Sequence, residues 1–224
     1  CEFPPGAVVC HLCRADEINR TSSKTQSALL EAMEEGAVTV DSVTRKLPDP
    51  FIVLATQNPS GSAGTQLLPE SQLDRFMIRL SMGYPTVGEE TEILKAKSSK
   101  KAAPQVNSIM TAQDLIEIRS AAEDIFVSDE IYDYIARLSG ATRSDRRLEL
   151  GVSTRGSLAA AAMAKCAAMF KGRNFVIPED VTFVYTDVCA HRIIPARVKG
   201  KLPSDSEVRE ILCDICRGVT PPKI

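Results

Sequence analysis

The feature that most constrains the fold is a pair of apolar runs that each end in polar side chains. The run "GAVVCHLCRA" is followed at once by Asp16 and Glu17, and the run "PFIVLATQNP" ends with Gln57 and Asn58. Runs of this kind predict strands of a parallel sheet that is covered on both faces. Because ligands bind beyond the carboxyl ends of such strands, the four polar side chains would line one crevice if the strands are parallel neighbours.

Helix and hairpin signals fill the sequence between and after these strands. The segment "TSSKTQSALLEAMEEG" predicts a helix with a capping box at Ser23 and Gln26 and an end at Gly36. The segment "AVTVDSVTRKL" alternates apolar and polar residues and predicts a hairpin that turns at Asp41 and Ser42. Further along, "LPESQLDRF" predicts a short helix and "MIRLSMGYP" predicts another strand.

The character of the sequence changes after Tyr84 and Pro85, because helical patterns dominate from there onward. Helices are predicted to begin near Glu89, Thr111, Ser128, Ser153, Pro178 and Ser204. The fold class is therefore α/β followed by all-α. We place the two predicted domains at residues 1–84 and residues 85–224.

Composition argues against several classes of protein. The formal net charge is −2, aromatic residues make up 5% of the chain, and no basic stripe is present, all of which disfavour a nucleic-acid motor. No apolar run is long enough to span a membrane, and the start of the chain has no signal-peptide pattern. We therefore expect a cytoplasmic protein, and the first residue, Cys1, leads us to expect a fragment of a longer one.

The polar residues at the strand ends suit a particular chemistry. Two acids and two amides at one sheet edge fit a hydrated Mg²⁺ ion and a polyanion, with one acid left to activate water. The alternative is that Asp16 caps the next turn and Glu17 faces water. Arg75 in "QLDRF" and Arg155 in "STRGS" add the planar, permanently charged donors that a phosphate site needs. Each arginine alone would be interpreted as a surface or salt-bridge residue, so the combination carries the hypothesis.

Several long motifs agree with one known family. "ADEINR", "KTQSALLEAMEEG", "ATQNP", "LPESQLDRF" and "STRGSLA" resemble the MoxR family of AAA+ ATPases in order and spacing, from about residue 5 to residue 191. The hairpin at Val38–Arg45 is similar to the pre-sensor 1 insertion of this AAA+ branch. The resemblance implies the C-terminal portion of a P-loop AAA+ parallel-sheet core, followed by an all-α helical lid domain.

The resemblance also implies a role for each candidate site residue. Asp16 and Glu17 would form the Walker B motif, in which Asp16 holds Mg²⁺ through water and Glu17 polarises the attacking water. Asn58 would be sensor 1, and Arg75 would be the arginine finger offered to the nucleotide of a neighbouring subunit. Arg155 would be sensor 2 on the lid. The implied cofactors are ATP and Mg²⁺, and the implied assembly is a homo-oligomer, usually a hexameric ring.

Two features depart from the family pattern. The chain contains no G-x-x-x-x-G-K-[ST] sequence, and only fifteen residues precede Asp16, so we expect this polypeptide alone neither to bind nor to hydrolyse ATP appreciably. Arg14 stands in the Walker B strand, where a buried charge would cost several kcal/mol unless it is paired or reaches water. An edge strand, a divergent family member and a sequence error are the three explanations left open.

Three functions remain in competition at this point. The first is an ATP-driven chaperone that remodels or matures client proteins, including metal-cofactor insertion, beside partners with a von Willebrand A domain. The second is a non-catalytic ring or scaffold subunit, which Arg14 and the missing P-loop favour. The third is a nucleic-acid motor, which the charge and composition disfavour.

Overall fold

The computed structural model describes residues 8–40, 42–57, 68–98, 106–198 and 200–223. The strands in these ranges are β1 (Leu12–Ala15), β2 (Ala37–Val40), β3 (Val43–Lys46), β4 (Ile52–Ala55), β5 (Leu148–Leu150) and β6 (Ile194–Pro195). The helices are α1 (Ser23–Glu35), α2 (Glu70–Leu73), α3 (Val87–Ser98), α4 (Ala112–Glu123), α5 (Asp129–Ser144), α6 (Thr154–Phe170), α7 (Pro178–Cys189) and α8 (Asp205–Gly218). An α/β part is thus followed by a helical part, as predicted.

The two apolar runs form a parallel pair of strands, β1 and β4, in a register that places Ala15 opposite Ala55. Both strands therefore end at the same level. The strand β1 is shorter than predicted, because residues 8–11 form turns and bends. Leu12 and Leu54 are 56% and 53% exposed. The described residues therefore leave one face of this strand pair uncovered, whereas the sequence predicted cover on both faces.

The connection from β1 to β4 runs through α1 and the predicted hairpin. The helix α1 ends at Gly36 in the left-handed conformation, as predicted, but its N-cap is Ser22 rather than Ser23. The Ser22 hydroxyl accepts a hydrogen bond from the Thr25 backbone N–H at 3.2 Å, which fixes the helix start one residue earlier. The strands β2 and β3 pair antiparallel. Of the two predicted turn residues, Ser42 has a positive φ and Asp41 lies outside the described residues.

The helical part, which we call the lid (residues 112–218), encloses the larger core. Side chains of α5, α6, α7 and α8 form one apolar cluster that includes Ile131, Tyr134, Leu138, Val181 and Leu212. Alanines of α6 allow α7 to pack closely against it. The α/β part has a much smaller cluster, which is formed by Ile18, Leu30 and Leu68.

The lid helices begin where the capping signals predicted. Thr111, Ser153 and Ser204 cap α4, α6 and α8 through their side chains, and Pro178 is the first residue of α7. Ser128 occupies the N-cap position of α5 without a capping side-chain hydrogen bond. The short strands β5 and β6 were not predicted, because two or three residues are too few to show a periodic pattern.

The strand predicted over "MIRLSMGYP" is wrong. Residues 78–86 have no regular secondary structure, and Met82 and Tyr84 are almost fully exposed. The backbone of this segment is bound to the lid instead of to a strand, since the Arg79 N–H donates to the Asp187 carbonyl of α7 at 3.0 Å. The position of the domain boundary near residue 84 stays a prediction.

Candidate functional site

The acids Asp16 and Glu17 lie at the carboxyl end of β1, beside the carboxyl end of β4. Thr56, the first residue after β4, connects the two strand ends. Its hydroxyl lies 3.5 Å from Asp16 Oδ1 and accepts a hydrogen bond from the Glu17 backbone N–H at 2.9 Å. Its carbonyl accepts from the Ile18 N–H at 3.0 Å. We call this group the acid rim, defined by Asp16, Glu17 and Thr56.

The backbone at Glu17 is in an uncommon conformation. Its φ of 49° and ψ of 50° place a non-glycine residue in the left-handed region. Such conformations cost about 1–3 kcal/mol and cluster at functional sites. The carboxylate of Glu17 lies 3.2 Å from Arg20 Nε and remains partly exposed. The expected alternative, in which Asp16 caps the next turn, does not describe this geometry, because Glu17 occupies the N-cap position and no side chain caps that turn.

Arg14 is not buried in the sheet. Its side chain is 73% exposed, and its Nη2 lies 2.5 Å from Asp16 Oδ2. The desolvation cost that a charge in a central strand would carry therefore does not arise among the described residues. Arg14 instead places a positive charge on the carboxylate that the family resemblance assigns to Mg²⁺.

The two predicted arginines meet on one carboxylate, that of Glu34 at the C-terminal end of α1. Arg75 Nη1 lies 3.2 Å from Glu34 Oε2. Arg155 Nη2 donates to Glu34 Oε1 at 2.6 Å. A groove of about 280 Å³ opens beside Arg75 and Glu34 and is also lined by Glu31 and Gln72. An arginine of the α/β part and an arginine of the lid thus converge on the same surface.

The helix α1 separates this arginine pair from the acid rim. The N-terminal end of α1 lies near the rim, because Gln26 Nε2 donates to the Ile18 carbonyl at 3.1 Å. Gln26 and Glu34 stand about 12 Å apart along the helix at 1.5 Å per residue. The structure brings Arg75 together with Arg155 on Glu34, and no described hydrogen bond or ion pair joins either arginine to Asp16 or Glu17.

A buried ion pair fixes the segment that carries Arg75. Arg192, directly after α7, has a side chain that is 2% exposed, and its Nε lies 2.9 Å from Asp74 Oδ1. The Ser153 hydroxyl donates to Asp74 Oδ2 at 3.1 Å. His191 Nε2 lies 2.9 Å from the Phe76 carbonyl. Burial, together with the neighbouring Arg192 and Arg79, lowers the pKa of His191 to about 4, so the ring is neutral at physiological pH.

The sequence analysis missed several of these residues. Thr56 follows the strand directly, so the rule that predicted Gln57 and Asn58 could have found it. Asn58 itself lies outside the described residues, and Gln57 is exposed. Glu34 is one of several glutamates in "EAMEEG" and Arg192 sits in the apolar run "VCAHRIIP", so neither carries a signal in the sequence.

Two features are absent from the described ranges. These ranges contain no group of three or more histidine, cysteine, aspartate or glutamate side chains arranged to hold a metal ion. In the same part of the chain, no helix has both the length and the apolar character needed to cross a membrane.

Family models match both parts of the chain. Residues 1–78 match the model described as "ATPase family associated with various cellular activities (AAA)", and residues 140–211 match an AAA lid domain. A solved structure from Cytophaga hutchinsonii with a provisional ATPase assignment superposes with a TM-score of 0.83 at 35% identity, over 96% of this chain and 68% of that one. The parallel strand pair followed by a helical lid is thus the fold of an AAA+ ATPase.

Similar proteins with names indicate which family of AAA+ ATPases the chain resembles. The chain is 40% identical to Chaperone MoxR1 of Mycobacterium tuberculosis over 84% of this chain and 52% of the relative. It is 25% identical to Protein MoxR of Methylorubrum extorquens, over 80% of this chain and 57% of the relative. It is also 41% identical to the uncharacterised protein YeaC of Bacillus subtilis, over 94% of this chain and 67% of the relative. The chain belongs to the MoxR family, and it spans between about half and two thirds of the length of these relatives.

Proposed function

We propose that this chain is part of a MoxR-type AAA+ ATPase that uses ATP hydrolysis to remodel or mature client proteins. The observation that carries the proposal is the acid rim, in which Asp16 and Glu17 share Thr56 at the ends of two parallel strands. Sheet edges of this kind bind ligands at the carboxyl ends of their strands. The left-handed backbone at Glu17 supports the proposal, because strained conformations are typical of reacting groups.

Each residue of the rim has one task in this scheme. Bound Mg²⁺ would neutralise phosphate charge, and Asp16 would hold it through coordinated water. Glu17 would accept a proton from the attacking water, because its carboxylate is partly exposed and next to the Asp16 carboxylate. Asn58 follows the same strand end as Thr56 and is assigned to sensing the terminal phosphate through the family resemblance.

The residues of the rim fit a hydrated Mg²⁺ ion, although the Arg14 guanidinium competes with the ion for the Asp16 carboxylate. Asp16 offers a half-exposed carboxylate, which suits a metal that keeps several of its waters. The Arg14 guanidinium occupies the same carboxylate, but exposed ion pairs of this kind contribute little. Arg14 would therefore weaken metal binding only slightly.

Arg75 is proposed to act on the nucleotide of a neighbouring subunit, and Arg155 is proposed to bind nucleotide as sensor 2 of the lid. Both bind Glu34, and neither is joined by a described hydrogen bond or ion pair to the acid rim of its own chain. An arginine supplied in trans stabilises the charge of the transferred phosphoryl group and can raise the rate by about 10³–10⁵. Hydrolysis then requires assembly, which is why we propose a homo-oligomer, with a hexameric ring as the expected form in the cytoplasm.

The central test is ATP turnover of the complete protein with Glu17→Gln. Turnover is expected to fall by about 10²–10⁴, since the base that activates water is lost while the shape of the rim is kept. Glu92→Gln, which removes an exposed carboxylate paired with Lys95, is the matched control and should leave turnover unchanged. A Glu17→Gln protein with wild-type turnover would reject the assignment of Glu17.

A scaffold subunit without turnover is the second candidate, and the Arg14–Asp16 ion pair is the observation that favours it. The same experiment separates the two, because a scaffold has no turnover for Glu17→Gln to remove. Stimulation by DNA would instead support a nucleic-acid motor. Client proteins and partners with a von Willebrand A domain are proposed from the family resemblance, and pull-down by the Glu17→Gln variant held with ATP would identify them.

A further inference from the structure

The guanidinium group of Arg192 makes six described hydrogen bonds, and four of them go to one short segment, residues 74–77. Besides the ion pair with Asp74, Nη2 donates to the Phe76 carbonyl at 2.6 Å and to the Asp74 carbonyl at 3.2 Å. Nη1 donates to the Met77 carbonyl at 3.0 Å and also binds the Val188 carbonyl of α7. A buried lid residue thus holds the backbone on both sides of Arg75.

The stem of Arg192 also lies against the start of α6. A Cβ atom at Gly156 would stand 2.9 Å from Arg192 Cδ and 2.6 Å from Val152 Cγ1, so only glycine allows the stem to pass. Arg155 precedes Gly156, and Ser153 donates to the other oxygen of Asp74. Arg192 therefore contacts the segment that carries Arg75 and the helical turn that carries Arg155.

Contacts from the lid and from the α/β part together fix the segment that carries Arg75. No described strand pairs with residues 74–79. The lid holds their backbone through Arg192, Arg209 and the Asp187 carbonyl, whereas α2 carbonyls accept from the N–H groups of residues 74–76 and the Phe76 side chain packs against the small α/β cluster. The Arg75 side chain reaches Glu34. A change in the lid contacts would therefore shift the backbone beside Arg75.

We propose that Arg192 is a positioning residue that helps to fix the Arg75 guanidinium at the subunit interface and couples its placement to the lid. The proposal rests on the proposed role of Arg75 as an arginine finger. Arginine suits this task because its planar fork offers five donors in fixed directions, whereas lysine offers three donors from one rotating point. Replacement by lysine keeps the charge and loses the fork.

The first measurement is steady-state turnover and ATP affinity of the complete protein with Arg192→Lys. We expect kcat to fall about 10- to 100-fold, the effect of misplacing a reacting group by about 1 Å, while the Kd for ATP changes little. Arg119→Lys is the matched control, since Arg119 also links the lid to the α/β part by two hydrogen bonds, at 3.0 and 2.9 Å to Asp49. It touches nothing in residues 74–77, so its turnover should equal that of the wild type.

Mixed oligomers separate positioning from folding. Arg192→Lys subunits keep an intact acid rim, and Glu17→Gln subunits keep an intact Arg75. Mixing the two impaired proteins should therefore raise turnover above that of either alone, at interfaces that combine the intact halves. Asp74→Asn, which removes the charge of the acceptor and keeps its shape, should behave in the same way as Arg192→Lys. A merely misfolded lid would lose ATP affinity and would not be rescued by mixing.

The outcomes distinguish this inference from the function on which it rests. If Arg75→Ala mixed with Glu17→Gln recovers no turnover, the role of Arg75 in trans is wrong. If that mixture recovers turnover and the Arg192→Lys mixture does not, Arg192 has no positioning role. Wild-type kcat in Arg192→Lys, or equal losses of kcat and ATP affinity in both Arg192→Lys and Asp74→Asn, would also overturn the inference.

Discussion

The two parts of the molecule differ in how they hold their functional residues. The lid buries one continuous cluster across four helices, with side chains such as Leu138 and Leu212 fully enclosed. The apolar cluster of the α/β part has only three buried members, and the parallel strands leave Leu12 and Leu54 more than half exposed. The acid rim therefore lies on the less packed part. The segment with Arg75 is held by the better-packed lid.

The two parts hold the two kinds of candidate residue, the acids and the arginines, by different means. The acids depend on the parallel register of β1 and β4, which is a backbone property. The arginines depend on side-chain contacts with Asp74, Glu34 and the lid. Changes in the lid core should therefore disturb Arg75 and Arg155 before they disturb Asp16 and Glu17.

The largest expected effect tests the difference in packing directly. Leu212→Ala in the lid core should lower the free energy of unfolding by about 2–5 kcal/mol, because it removes a fully enclosed side chain and leaves a cavity. Leu54→Ala, at a side chain that is half exposed, should lower it by less than about 1 kcal/mol. Urea unfolding of this chain followed by circular dichroism measures both. Equal losses would show that the strand pair is packed as well as the lid.

An intermediate effect comes from His191, at the junction of the two parts. Burial lowers its pKa to about 4 from an ordinary value of 6.5. Between these two values the unfolded chain binds a proton and the folded chain does not, so stability is full above pH 6.5 and falls as the pH drops toward 4. Over this interval the free energy of unfolding falls by on the order of 3 kcal/mol, because one group, the His191 ring, takes up a proton in the unfolded chain only.

The charged groups that face His191 are Arg192, Arg79 and Asp74. His191→Asn should therefore flatten the pH dependence of stability between pH 6.5 and 4, as measured by thermal unfolding at each pH. An unchanged slope in the variant would assign the dependence to other groups.

The smallest effect concerns two serines at equivalent helix starts. Ser153 caps α6 by accepting from the Gly156 N–H at 3.1 Å, and it also binds Asp74, whereas Ser128 makes no capping hydrogen bond to α5. Ser153→Ala should cost about 1 kcal/mol and Ser128→Ala only a few tenths. Differential scanning calorimetry of the two variants provides the comparison, and a larger loss from Ser128→Ala would contradict it.

Asp16 and Glu17 of the rim were predicted because rules for parallel strands act over short stretches. Apolar runs that end in Asp16 and in Gln57 are enough to place these ends at one sheet edge once the register is right. The caps of the lid helices were predicted for the same reason, since a hydroxyl and the backbone N–H that it accepts lie within three residues.

The contacts around Arg75 could not be predicted, because each joins residues far apart in the sequence. Asp74 and Arg192 are separated by 118 positions, and Arg155 and Glu34 by 121. The predicted strand at residues 77–85 failed for a related reason. Its apolar pattern was real, but its described backbone hydrogen bonds go to Asp187 of α7 and to the side chains of Arg192 and Arg209, and not to a neighbouring strand.

The pairing of β1 with β4 has a practical consequence. Each of these strands has a second edge, and within the described ranges no strand pairs with either one. Open edges of parallel strands are templates for non-specific aggregation. Light scattering from this polypeptide would then report strand-to-strand association, so ring assembly is better measured by cross-linking at an engineered cysteine near Glu34 than by particle size.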